Sequence, residues 1–257
     1  MNPLLDNLCE QLAIWRCGAP AVRNASGMPS GFAALDAVLA DNGWPTAALS
    51  ELLTDKAGIG ELSLLMPTLA QLSQTRGVLF IAPPFLPYAP ALADAGIDLR
   101  RLLVVSGCNA RDTLACTELA LRSGACGAVV LWTAGLIDMP GRSAGHLALR
   151  RLHLAAQRGN TMALLLRDAQ HAVQSSPAVL RIRLSTTNER LRQQLQLMVF
   201  KQRGLSAQQT VLLDPRSPRL QQEIMHPSAP PVWAPPTPHV PAFLKQLQGM
   251  SMPATLN

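Results

Sequence analysis

Apolar and polar positions alternate along this chain in two rhythms. Short continuous apolar runs at 48–53, 78–81, 102–106, 128–131, 162–166 and 179–184 are too short for helices and too unbroken to leave one face in water. Each predicts a buried strand. The stretches between several of them, including 146–158, carry helical spacing, so the fold class expected is α/β, with a mostly parallel sheet and helices on both faces. Two later runs, 195–201 and 209–213, alternate in polarity and predict antiparallel strands at the C-terminal end. Pro67 falls inside the helix expected after residue 60, where a missing N–H predicts a kink or a late start.

Both ends depart from this rhythm. Over 2–17 the residues Leu4, Leu5, Leu8, Leu12 and Trp15 form a one-sided apolar stripe, which predicts an amphipathic helix. A Gly- and Pro-containing linker separates it from the core, so docking on its own core and docking on a partner both remain open. After Asp214, nine prolines between 215 and 241 exclude regular helix or central strand. Within this extended tail Trp233, Phe243 and Leu244 have the character of partner anchors, and folding back onto the core fits them equally. The expected organisation is an N-terminal helix and linker over 1–27, a core over 28–214 and a proline-rich tail over 215–257.

A chain of 257 residues accommodates one such core without staples. Its five cysteines, Cys9, Cys17, Cys108, Cys116 and Cys126, form no C-x-x-C pair and read as reduced thiols. No segment has the pattern of a signal peptide or membrane span, so a soluble, cytoplasmic protein is expected. The net charge of +6 hides an asymmetry: residues 1–128 carry a net −3 and residues 129–257 a net +9. Ten arginines lie between 142 and 203, among them Arg142, Arg150, Arg151, Arg158, Arg181 and Arg183. Guanidinium forks suit phosphates and carboxylates, making these residues candidates for DNA or an acidic protein face, against the alternative of a solvated surface.

The segment 51–65 is arranged as strand, loop and helix in the manner of a nucleotide-binding P-loop. With Gly60 as the second motif glycine, Asp55 stands at the first glycine's place, Glu61 at the lysine's and Leu62 at the hydroxyl's. Gly58 and Gly60 remain. The strand that should end in a metal-ordering Asp ends in Trp132, and Pro83-Pro84 follow the strand where a water-activating glutamate belongs. A plain turn and a degenerate nucleotide loop both fit this motif, and the flanking order favours the second. No catalytic residues, metal site or cofactor are therefore expected: His146 and His153 are seven apart, and no nucleophile elbow occurs.

Taken as a set, Gly31-Phe-Ala-Ala-Leu-Asp36, Asn42-Gly-Trp-Pro45, Glu51-Leu-Leu53 and the lysine-free loop resemble the ImuA family, RecA-related proteins associated with damage-induced mutagenesis. The resemblance covers about 28–214 and implies a RecA-like P-loop NTPase core with a degenerate nucleotide site. It implies partners too: an ImuB-type Y-family-like protein and an error-prone C-family DNA polymerase, with DNA contact and self-association left open. The connections at 135–145 and 167–177 stand where RecA carries DNA-binding loops and are shorter, which speaks against filament-type DNA binding. A second resemblance, carried by 62–72 and the strand ending in Trp132, is to SulA, the damage-induced inhibitor of the division protein FtsZ. The expected function is that of a non-catalytic accessory protein in SOS-induced translesion synthesis, with SulA-like division inhibition as the alternative.

Overall fold

A computed structural model describes residues 27–134, 142–187, 194–203 and 208–215, with backbone alone at 142–144. The expected N-terminal helix with Leu8, Leu12 and Trp15 lies outside the described residues, as do Trp233, Phe243 and Leu244.

Among the described residues eight strands build one sheet: β1 Leu49–Thr54, β2 Gly77–Ile81, β3 Leu102–Val105, β4 Cys126–Trp132, β5 Met162–Asp168, β6 Leu180–Thr186, β7 Leu195–Lys201 and β8 Gln209–Leu213. Their order is β3-β2-β4-β5-β1-β6-β7-β8. The pairs from β3 through to β6 are parallel, whereas β6–β7 and β7–β8 are antiparallel, so the sheet is mixed. Each strand begins and ends within two residues of a predicted run; the continuous apolar runs of β1, β2, β4 and β5 are buried on both faces, and the alternating runs of β7 and β8 on one.

The helices are α1 Ala33–Asp36, α2 Glu61–Ser73, α3 Ala89–Asp94, α4 Ala110–Arg122 and α5 Arg142–Arg158. The two-residue period of the strands sends alternate side chains to opposite layers. Leu52, Phe80, Val130, Leu164 and Ile182 pack with Leu64, Leu65 and Leu69 of α2. Leu49, Leu79, Val129 and Leu165 pack on the other side with Leu121 of α4 and with Leu149 and Leu152 of α5. Among the described residues no helix is long and apolar enough to cross a membrane.

The entry into the core is held by a backbone bridge in which Met28 and Trp44 each donate an N–H to the other's carbonyl, at 2.8 and 2.7 Å. Gly43 is required there, since a Cβ would stand 2.4 Å from the Met28 oxygen. The bridge buries Trp44 fully, beside Leu35 and Leu39.

Two local expectations change. α2 runs unbroken from Glu61 to Ser73 through Pro67, so the late start is not found; Pro67 is exposed, and its ring lies where a side chain on Gly31 would go. α5 begins at Arg142, four residues before the predicted start, because Gly145 falls within its first turn rather than in its interior. The expected RecA-like P-loop NTPase core is also corrected at its defining element. The loop between β1 and α2 is not a phosphate cradle left vacant: the chain fills it with a carboxylate of its own.

Candidate protein-interaction edge

Parallel strands deliver all their following loops to one edge of the sheet, here the edge at Thr54, Ile81, Val105, Trp132 and Asp168. After β1 the loop turns through Gly58 and Gly60, with φ of +82° and +108°. Gly60 caps α2, and the first helical residue, Glu61, is buried. Its Oε1 accepts the Gly58 N–H at 2.7 Å. A helix N-terminus attracts an anion through its free N–H groups and dipole, and Glu61 supplies that anion internally. Over the same loop, Pro215 stands where it would meet a Cβ on Gly60 at 3.1 Å, so the chain leaving β8 crosses the mouth. Asp55 is exposed and ion-paired with Arg183 at 3.2 Å; Leu62 packs against the α2 side of the core. Trp132, at the position expected for a metal acid, is a core residue 8% exposed and edge-on to Phe80 at 5.6 Å.

The next loop has the opposite character. Ala82 takes φ +52° while its N–H remains bonded to the Val105 carbonyl at 2.8 Å, and the chain then leaves through Pro83 and Pro84. Phe85, Leu86 and Tyr88 follow at 74%, 86% and 69% exposure, and no charged residue occurs between Ile81 and Asp94. Strand neighbours lie about 4.8 Å apart, so the ends of β2 and β5 are about 10 Å apart. Val173, in the turn Ala169–Val173 after β5, is 94% exposed. Phe85, Leu86 and Tyr88 therefore leave the loop after β2 apolar, and burial of each against a partner contributes about 1.5–3 kcal/mol.

Beneath this edge a polar cluster is sealed into the sheet. Glu51, fully buried on β1, accepts from Arg167 Nη1 at 3.1 Å, from Ser176 Oγ at 2.6 Å and from Arg181 Nε at 2.8 Å. Arg181 also donates to the carbonyls of His171, Ala172 and Gln174, pinning the 169–178 connection to the sheet. Its guanidinium carbon lies 5.0 Å from the Phe200 ring centre. Lys201 donates to the Ser176 carbonyl at 2.6 Å, and burial, then Arg181, lower its pKa.

The arginines singled out in the sequence thus separate. Arg181 is buried and engaged within the fold, and Arg183 sits at the loop mouth. Arg150, Arg151 and Arg158 are exposed on α5, and Arg151 reaches Glu118 of α4 at 2.6 Å. Arg142 opens α5, its side chain outside the described ones. Among the described residues no group of three or more His, Cys, Asp or Glu converges as a metal site. Sequence reasoning missed Phe85, Leu86 and Tyr88, although a charge-free run of prolines and aromatics was the available signal. It also missed the burial of Glu51, visible as a charge inside an apolar strand.

A family model described as cell division inhibitor SulA matches residues 48–163. Among solved structures, that of SulA from Pseudomonas aeruginosa is 31% identical, covers 48% of this chain and 98% of its own, and superposes with a TM-score of 0.36. No curated protein matches the chain. The matching family is SulA, which overturns the RecA-like P-loop NTPase core expected from the sequence.

Proposed function

Because residues 48–163 form a SulA-family domain, we propose that this protein is a non-catalytic binding component of the DNA-damage response. Within that role it acts as an adaptor that brings an error-prone polymerase complex, comprising an ImuB-type Y-family-like protein and a C-family polymerase, to damaged DNA. The observation that carries the binding role is the Phe85-Leu86-Pro87-Tyr88 loop. A segment that leaves three large apolar side chains in water is a ready anchor for a protein groove and offers nothing to a phosphate.

Turnover has little support in the geometry. Glu61 and Pro215 take the room around the loop, and neither a lysine nor a hydroxyl stands at the motif positions that would hold a nucleotide.

The adaptor reading draws on what lies outside the matched span. The Met28–Trp44 entry and strands β6, β7 and β8 add to the SulA-like part: the entry carries Gly31-Phe-Ala-Ala-Leu-Asp36 and most of Asn42-Gly-Trp-Pro45 of the ImuA resemblance, and the strands complete its core, whereas Glu51-Leu-Leu53 and the lysine-free loop lie inside the matched span. A second reading, inhibition of FtsZ, is favoured by the description of the matching family as a cell division inhibitor.

Tagged full-length protein recovered from damage-treated cells, with and without nuclease, separates the two. Mass spectrometry is expected to find polymerase components in both samples. Their absence alongside recovered FtsZ would replace the adaptor with the division inhibitor.

A further inference from the structure

The outer stripe of α5 is built differently from an ordinary solvated helix face. Leu147 and Leu154 are 58% and 42% exposed and stand seven residues apart. At 100° per residue that spacing returns them to one line, about 10 Å apart along the axis. Arg150, Arg151 and Arg158 fall within about 60° of that line, all exposed. The helix contains four arginines and no acidic residue. Arg151 is held by Glu118, which fixes one edge of the stripe against α4. Arg150 and Arg158 make no ion pair or side-chain hydrogen bond among the described residues.

We propose that this stripe is a docking surface for an acidic amphipathic helix of a protein partner. Two leucines in water gain only by meeting apolar side chains, and a helix with apolar residues two turns apart presents them at the same spacing. The arginines around them carry charge that requires the partner's flanks to be acidic, and guanidinium forks pair with carboxylates in bidentate fashion. A DNA backbone would use the arginines and leave both leucines without a function, so phosphate binding accounts for half of the stripe and an acidic helix for all of it. The surface is separate from the 82–88 loop, so its failure would leave the binding role of that loop untouched.

The test uses full-length protein and a fluorescein-labelled synthetic helix of 22 residues, with leucines along one face and glutamates on the rest, read by anisotropy. A version with lysines for the glutamates, and a 30-nucleotide DNA in single- and double-stranded form, serve as comparison probes. The acidic helix is expected to bind and the lysine version not. Affinity should fall at least about tenfold in Leu147→Ser/Leu154→Ser and again in Arg150→Glu/Arg158→Glu. Hydrogen exchange on the wild type should show protection of 147–158 by the acidic helix, a readout that depends on no variant's folding. Absence of binding and protection overturns the proposal. So does DNA binding that Arg150→Glu/Arg158→Glu abolishes and Leu147→Ser/Leu154→Ser leaves intact, because the stripe is then a phosphate surface.

Discussion

Arg181 on β6 lies opposite Glu51 on β1 in parallel register, and its Nε meets the Glu51 carboxylate at 2.8 Å with both side chains sealed from water. Neighbouring strands rarely place opposite charges in a core, because both must be stripped of water. Here the cost is offset by a full set of partners: Arg167 and Ser176 complete the carboxylate, and three carbonyls complete the guanidinium. The pair therefore fixes the 169–178 connection against β1 and β6.

Breaking one side of this pair leaves the other buried and uncompensated. Glu51→Leu and Arg181→Met are each expected to destabilise the fold by about 3–5 kcal/mol, and the double variant by less than the sum. Urea unfolding of the four proteins measures the cycle. Additive losses would mean that the two residues do not act as one unit.

His153 gives the fold a pH dependence of known sign. Its Nδ1 accepts the Leu49 N–H at 3.4 Å, which requires the neutral ring, and burial, then Arg203 and Lys201, lower its pKa. In the unfolded chain histidine titrates near about 6.5, so the unfolded state takes the proton first and stability rises with pH. The contribution is present above about 6.5 and is lost as pH falls through the lower folded value. His153→Asn keeps an acceptor near the Nδ1 position without titrating. Thermal melts from about pH 7.5 down to about pH 5 should therefore show a smaller loss for this variant than for the wild type. Parallel losses in the two proteins would remove His153 as the cause.

The described cysteines should differ sharply in reactivity. Burial pushes the Cys126 thiol up to about 12, and Cys116 is raised by burial and by Cys108, whereas Cys108 is exposed in the loop after β3. Thiolate is the reacting species, so brief iodoacetamide treatment at neutral pH followed by peptide mapping should label Cys108 and spare Cys126 until denaturant is added. Equal labelling in native protein would contradict the buried placement of β4.

Local periodicity made the strands legible because the sheet buries both faces of β1, β2, β4 and β5 in helices, and an apolar run leaves few alternatives. Gly43-Trp44 was legible only as part of a family resemblance, and the reason for the glycine, its fit against the Met28 carbonyl, appears in the structure. What escaped depends on contacts between distant segments. Glu51 meets Arg167, Ser176 and Arg181 only after three connections bring them together. Glu61 read as a charge that would repel phosphate, and its role as the loop's own anion appears only when Gly58 is seen to donate to it. Phe85, Leu86 and Tyr88 were passed over, because a charge-free run signals an unusual segment but not that the turn at Ala82 sends all three side chains into water.

The proposed binding role depends on the apolar loop acting as a protein anchor. Its most direct test is interferometry of purified full-length protein against a purified ImuB-type protein and against FtsZ, each in wild type and in Phe85→Ser/Leu86→Ser/Tyr88→Ser. These exposed substitutions should leave stability within about 0.5 kcal/mol. The prediction is binding to the ImuB-type protein without DNA, weakened by more than about tenfold in the variant, and no binding to FtsZ. Undiminished binding by the variant, or binding to FtsZ alone, would contradict it.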